Sequence, residues 1–408
     1  MTPDELASAR WFRAKHRPIA GLREVEREPV GPGKLVVVEV AYADGGASDR
    51  YFTPEVDGHE PADGAGMWTA ITELIAGGTS AGAFRSQPIA ELEPGPMHER
   101  RLGVEQSNTS VVIGDRFILK LYRLLEPGEN PDLEIGAFLT DAGFTDTPAV
   151  LGALRHVSHG EEPATAAMLQ AYVAATGDAW SAMLDALAHD QARATAMAAA
   201  IGRVTARMHA ALASGPDDPA FPARVATVEE TADWRASAEG QLTGAIAAVP
   251  GDAHDRLVAL APEIRARFAD AFGRATGDEI VTRIHGDYHL GQLLARTDGG
   301  FSVIDFEGEP ARPLVERRRP SSPMRDVAGM LRSLDYAART AEASGTLTAA
   351  AWLSDARDAF LNAYGATGAL VEAFELEKAC YEIRYEAGNR PDWLWLPLAA
   401  VERLCGGA

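Results

Sequence analysis

The sequence predicts an α+β chain in three parts, and three observations predict it. A strand hairpin pattern occupies the middle of the first half, a helical pattern fills most of the second half, and Gly- and Pro-rich breaks set off a small mixed region at the start. At 408 residues with 46% hydrophobic content, the chain exceeds one ordinary core and can fill two or three. The parts expected are residues 1–90, 91–175 and 176–408.

In the first part, Arg10-Trp11-Phe12 opens the chain, residues 34–40 (Lys-Leu-Val-Val-Val-Glu-Val) read as a strand, and Met67 to Ala76 as a short helix. The Glu-Leu-Glu-Pro-Gly-Pro segment at 91–96 marks a boundary. In the second part, Ser110 to Ile113 and Arg116 to Tyr122 are strands joined by the two-residue turn Gly114-Asp115. A helix follows from Pro131, well placed in a first turn, to Ala142, and Ala167 to Val173 is another strand. Beyond Thr176 helices dominate. Thr195 to Ala213 is Ala-rich and apolar on one face, two short apolar strands interrupt between 280 and 306, and helix resumes from Ser322 to Ala387.

Composition excludes several function classes. No run of eighteen apolar residues appears, and Met1-Thr2-Pro3-Asp4-Glu5 lacks the regions of a signal peptide. The only cysteines, Cys380 and Cys405, have no metal-ligand spacing and suit a reducing compartment, so a cytoplasmic protein is expected. A formal charge of -21 argues against nucleic acid or an anionic membrane as partner, but not against a nucleotide, which needs only a local basic patch. Four lysines (Lys15, Lys34, Lys120 and Lys378) stand against thirty-four arginines, so each lysine is a candidate for work that arginine cannot do.

The most informative segment runs from Ile284 to Glu309. Apolar residues flank His285-Gly286-Asp287-Tyr288-His289 and, further on, Asp305-Phe306-Glu307, so short strands deliver both polar loops. Phosphoryl transfer from ATP needs a carboxylate near the attacking hydroxyl and oxygen ligands for Mg²⁺. Asp287, Gln292 and Asp305 supply these groups, the latter two lying five and eighteen residues after the first aspartate. A turn with a capping aspartate is the plain alternative for His-Gly-Asp alone. A metal hydrolase using His285, Asp287, His289 and Asp305 is another, although nothing upstream adds ligands.

A nucleotide-binding half is also readable. The polar turn Gln106-Ser107-Asn108-Thr109-Ser110 precedes the hairpin and offers N–H groups and hydroxyls to phosphate oxygens. Lys120 ends the second strand, where it would hold phosphates, and Glu134 on the next helix is its expected ion-pair partner. An ordinary strand-edge lysine and an exposed helical glutamate are the plain readings of the two. Gln170, Tyr172 and Val173 would form a hinge that meets adenine.

His285-Gly286-Asp287-x₄-Gln292 with Asp305-Phe306 resembles the aminoglycoside phosphotransferase and choline kinase group. Longer strings resemble actinobacterial maltokinases and glucosamine kinases: Ile118-Leu119-Lys120-Leu121-Tyr122-Arg123, Asn130-Pro131-Asp132, residues 305–310 and 325–332, Asn389-Arg390-Pro391-Asp392-Trp393, and Trp11-Phe12-x-Ala14-Lys15 near the start. Gln292 replaces the Asn usual in the wider group. The resemblance implies a bilobal protein-kinase-like fold with an N-terminal cap domain and a largely helical C-lobe. It also implies ATP and Mg²⁺ as cofactors and a small sugar as acceptor. Asp287 would be the base, Gln292 and Asp305 the Mg²⁺ ligands, and Asp326 a brace for the catalytic loop.

For the sugar, the expected contacts are Asp287, Glu307, Arg312, Glu382, Tyr385, Glu386, Asn389, Trp393 and Trp395. Glu382 and Glu386, four apart on a helix, would share a substrate ammonium unless Arg384 or Arg390 neutralises them. The tryptophans would stack on a sugar face or else belong to a core. Compared with the maltokinases that the chain resembles, the cap is short, and Trp395 would narrow a disaccharide pocket. Glucosamine is therefore the expected acceptor and maltose, giving maltose 1-phosphate, the alternative. A pseudokinase binding module is the non-enzymatic reading, opposed by the presence of Lys120, Asp287, Gln292 and Asp305.

Overall fold

Leu35, Val36, Val37 and Val38 are all buried, and such a run is stable only as the middle of a covered sheet. The computed structural model, which describes residues 2–92, 97–103, 108–215, 217–310, 312–345, 349–365 and 368–406, shows that arrangement. After helix α1 (Pro3–Ser8), closed by a Thr2–Glu5 capping box, strands β1 (Ile19–Val30), β2 (Gly33–Tyr42) and β3 (Asp49–Phe52) form an antiparallel sheet with β2 central. One face of β2 packs on α2 (Met67–Ala76) through Leu35 and Val37; the other packs Val36, Val38 and Val40 on Trp11 and Phe12.

Seven further strands form one sheet. They are β4 (Ser80–Ala81), β5 (Phe84–Pro88), β6 (Glu99–Arg101), β7 (Asn108–Ile113), β8 (Phe117–Tyr122) and, after α3 (Pro131–Asp141), β9 (Val150–His156) and β10 (Ala164–Ala171). Their order is β4-β5-β9-β10-β8-β7-β6. Gly114 and Asp115 both take positive φ, as a two-residue hairpin turn that follows the strand twist requires. Contacts divide the chain into two compact units, Met1–Val173 and Ala174–Ala408. The boundary expected near residue 90 therefore lies inside the first unit. Phe84–Pro88 pairs with β9, so residues assigned to a separate cap extend the larger sheet.

The second unit is helical around two small sheets. Its elements are β11 (Ala175–Asp178), α4 (Ala179–His189), α5 (Gln191–Leu212), β12 (Arg224–Val225), α6 (Val228–Ala248), α7 (Gly251–Ala275), β13 (Ile280–Val281), β14 (Leu293–Arg296) and β15 (Phe301–Val303). Then come α8 (Leu314–Arg317), α9 (Met324–Ala343), α10 (Ala349–Tyr364), α11 (Ala369–Asn389) and α12 (Trp395–Leu404). Trp234, Phe272 and Phe374 meet edge-on or tilted in a core shared by α6, α7 and α11, at centroid distances of 5.2–6.5 Å. The His-Gly-Asp segment crosses from β13 to β14, and Asp305 follows β15. Among the described residues no helix is long and apolar enough to cross a membrane.

Helices α5 and α10 approach closely because Gly202 has no side chain: a Cβ there would lie 2.4 Å from the Phe360 carbonyl oxygen. Backbone cannot yield as a flexible side chain does, so Gly202→Ala is expected to cost about 1–3 kcal/mol. Urea unfolding measures this, and an unchanged midpoint would show that the helices are not in such contact.

Candidate active site

A buried carboxylate fixes the His-Gly-Asp loop. Asp326, in the first turn of α9, accepts the backbone N–H of His285 at 2.8 Å and of Gly286 at 2.9 Å, each on its own oxygen. His209 of α5 donates from Nε2 to the same group at 3.0 Å, while its Nδ1 faces the Tyr364 hydroxyl at 2.9 Å. Burial opposes the charge on Asp326, but the hydrogen bond and charge of His209 and the loop N–H groups hold its pKa below the ordinary value. The His285 ring donates from Nε2 to the Ile304 carbonyl at 2.9 Å and accepts the Asp287 N–H on Nδ1 at 3.3 Å. These contacts require the neutral Nε2–H tautomer and tie the Asp287 loop to the loop that carries Asp305. Gly286 has φ +83, with the Gly308 Cα 3.3 Å from where a Cβ would stand.

Asp287 opens onto a cavity of about 1050 Å³ formed within the second unit by the loops, α6, α9 and α11. Lys378 of α11 reaches toward the aspartate, with Nζ 3.7 Å from Asp287 Oδ1 and 3.0 Å from Glu309 Oε1. Glu309 also accepts from Arg312 Nε at 2.7 Å. Burial disfavours charge on Glu309, yet Lys378 and Arg312 together pull its pKa down to about 2. Lys378 likewise has burial working against its charge, and Glu309 and Asp287 raise its pKa above the usual lysine value. Sequence reasoning assigned Lys378 no role; its rarity among thirty-four arginines was the available signal.

Gln292 ends a single 3₁₀ turn, Leu290–Gln292, and its amide nitrogen lies 3.4 Å from Asp305 Oδ2. Asp305 has φ +68, in the left-handed region that a non-glycine residue adopts at a cost in energy. A carboxylate beside an amide that can present its oxygen is a donor set suited to Mg²⁺.

In the first unit, β7 and β8 set Ser110 opposite Lys120 and Asn108 opposite Tyr122. Lys120, buried, donates to Asp132 Oδ2 at 2.8 Å, and the Tyr122 hydroxyl donates to the same oxygen at 2.7 Å. Asp132 thus brings to Lys120 a carboxylate that the expectation, which named Glu134, did not include; Asn130 caps the helix that carries both. Gln106 and Ser107 lie outside the described residues. Gln170 pairs with Ile118, the Tyr172 N–H donates to the Arg116 carbonyl, and Val173 is the last residue of the unit.

The cavity brings together Asp287, Arg312, Tyr385, Glu382 and Glu386 from the expected sugar contacts, but Glu307, Asn389, Trp393 and Trp395 are not among the residues that line it. Trp395 is 46% exposed, so it does not narrow the cavity as the sequence suggested. Trp393 instead lies under the Arg390 guanidinium, and the Asn389 amide donates to the Tyr385 carbonyl. Glu382 and Glu386 do not share one cation. Arg332 contacts Glu382 Oε2 at 2.8 Å, whereas Glu386 takes a two-pronged contact from Arg390 at 2.6 and 2.9 Å and a hydrogen bond from Tyr336. Arg384 bonds Gln241 instead.

The family described as phosphotransferase enzyme family (APH) matches residues 98–361. A glucosamine kinase of Streptacidiphilus jiangxiensis is 32% identical over 363 residues, covering 83% of this chain and 80% of its own. One from Mycolicibacterium smegmatis (strain ATCC 700084 / mc(2)155) is 28% identical, covering 93% and 98%. The solved structure of a glucosamine kinase in complex with glucosamine, ADP and inorganic phosphate superposes with a TM-score of 0.77 at 27% identity, covering 98% of both chains.

The low pKa of Glu309 has a consequence for stability. Its paired carboxylate contributes fully above its ordinary pKa of 4.5, and the contribution is lost as pH falls toward about 2. The stability gap between wild type and Glu309→Gln is expected to be constant near neutral pH and to narrow below about pH 4.5. Urea unfolding across that range tests this; a gap independent of pH would mean that Glu309 is not ion-paired.

Proposed function

We propose that this chain, which belongs to the phosphotransferase enzyme family, is a glucosamine kinase that transfers the γ-phosphoryl group of ATP to a hydroxyl of the sugar. The observation that carries this reading is the Asp287 carboxylate, set on a loop pinned by Asp326 and facing a cavity rich in acidic groups.

Asp287 orients the attacking hydroxyl and accepts its proton as the bond to phosphorus forms. Lys378, braced by Glu309, holds that carboxylate in place. Lys120, seated on Asp132, meets the nucleotide phosphates, with Asn108, Thr109 and Ser110 on the neighbouring strand. Gln292 and Asp305 are the residues that would hold Mg²⁺, which when bound neutralises phosphate charge. Both cysteines are free thiols, which supports a cytoplasmic setting.

Recognition of the amino group falls to Glu382. Arg332 takes only its Oε2; Oε1 has no hydrogen-bond partner among the described residues, and the side chain lines the cavity. Burial raises the pKa of Glu382 despite Arg332 beside it, so a substrate ammonium would supply charge that the site lacks. Glu386, with both oxygens bonded by Arg390 and Tyr336, instead shapes the wall. A cavity of about 1050 Å³ has room for a disaccharide, so charge, not size, favours glucosamine over maltose.

Asp287→Asn is expected to lower kcat by about a hundredfold or more with little change in melting temperature. A variant keeping more than about a tenth of the wild-type rate removes Asp287 from the base role. Wild type should phosphorylate glucosamine in preference to glucose and maltose; preference for maltose overturns the amino-sugar reading. Glu382→Gln should raise KM for glucosamine about tenfold or more, and for glucose much less. If the mutant keeps the wild-type preference, the ammonium binds elsewhere.

A further inference from the structure

Arg123 is the first residue after β8, and only 1% of its surface is exposed. Its guanidinium makes contacts in four directions. Nε donates to the Thr109 hydroxyl at 2.9 Å, Nη2 to Glu60 Oε1 at 2.5 Å and Nη1 to the Phe52 carbonyl at 3.4 Å, while the group lies 4.9 Å over the Trp11 ring. Its own carbonyl accepts the Phe52 N–H at 2.7 Å, and the Leu125 N–H donates to the Arg50 carbonyl, so β3 of the first sheet continues onto the strand that leaves the second.

Three of these partners, Trp11, Phe52 and Glu60, come from the N-terminal sixty residues. The fourth, Thr109, lies between Asn108 and Ser110 at the start of β7, one position from the register partner of Lys120. Burial pushes the pKa of Arg123 down against the support of Glu60, so the protein retains a cation where desolvation opposes it. Stability alone does not call for that: apolar side chains could join two sheets at no such cost. A planar guanidinium is distinctive in fixing a neighbouring hydroxyl from a rigid fork.

We propose that Arg123 is a positioning residue for ATP: the N-terminal segment holds its guanidinium, and the guanidinium sets Thr109 and with it the phosphate-facing start of β7. The N-terminal segment is then part of the nucleotide site's support. This rests on the reading of Asn108–Ser110 and Lys120 as nucleotide-binding. The described residues that line the acceptor cavity all belong to the second unit, so a fault here should show in ATP and not in the sugar.

The experiment measures KM for ATP and for glucosamine separately, with melting temperatures, in wild type, Arg123→Met, Arg123→Lys, Glu60→Gln and Lys120→Met. Arg123→Met is expected to raise KM for ATP about tenfold or more while KM for glucosamine stays within about twofold. Arg123→Lys should resemble it, because an ammonium cannot hold three acceptors in one plane. Glu60→Gln should give a smaller rise of the same kind, and it decides the matter if Arg123→Met does not fold, since Glu60 is 34% exposed. A lower melting temperature with unchanged KM for ATP in the folded variants overturns the proposal and leaves Arg123 a structural tie. If Lys120→Met also leaves KM for ATP unchanged, the nucleotide reading of this strand pair fails; if it raises KM while the Arg123 and Glu60 variants do not, only the role of Arg123 fails.

Discussion

The Asp326 carboxylate is the constraint on which the acceptor side depends. Two consecutive N–H groups in a loop with no strand partner must find acceptors or remain buried and unpaired. Asp326 takes both, and His209 holds Asp326 in turn. With that backbone fixed, the His285 ring spans to the Ile304 carbonyl, and the Asp287-bearing and Asp305-bearing loops become one object. Asp287 is thus aimed by the backbone and side chains that hold its loop.

Helix α11, which supplies Lys378, Glu382 and Glu386 to the cavity, is held by buried ion pairs. Arg332 and Asp335 of α9, Arg357 of α10, Glu375 of α11 and Arg403 of α12 form one network, with Arg357 gripping both oxygens of Glu375 at 2.6 and 2.8 Å. Such a network costs desolvation and adds little net stability. What it contributes is direction: paired forks permit few arrangements, so four helices meet in one register and the acceptor wall keeps its shape. Arg332 also reaches Glu382, so the network ends in the cavity itself.

The acidic chain balances charge locally. Glu309 between Lys378 and Arg312, Asp132 under Lys120, and Glu60 on Arg123 each set a carboxylate within hydrogen-bond distance of a cation. Two of these cations are lysines, in a chain with only four lysines against thirty-four arginines. A compact ammonium suits a place where one charge must meet a phosphate or a carboxylate at short range.

Short-range signals made much of the chain legible in advance. Two apolar runs and the Gly114-Asp115 turn between them determined the β7–β8 hairpin, the 67–76 segment read as helix matches α2 to the residue, and the spacing of Asp287, Gln292 and Asp305 identified the polar loops, because each depends on neighbours along the chain. Strand β1 was missed because none of its side chains is fully buried, which leaves no alternation to detect. Partner choice was decided only by tertiary structure. Asp132 on Lys120, separate arginines on Glu382 and Glu386, Trp395 away from the cavity, and Lys378 beside Asp287 some ninety residues earlier all depend on helix rotation and packing between distant segments. A sequence pattern states which groups are available; the folded core determines which of them lie within three or four ångströms of one another, and at that range electrostatics assigns the pairs.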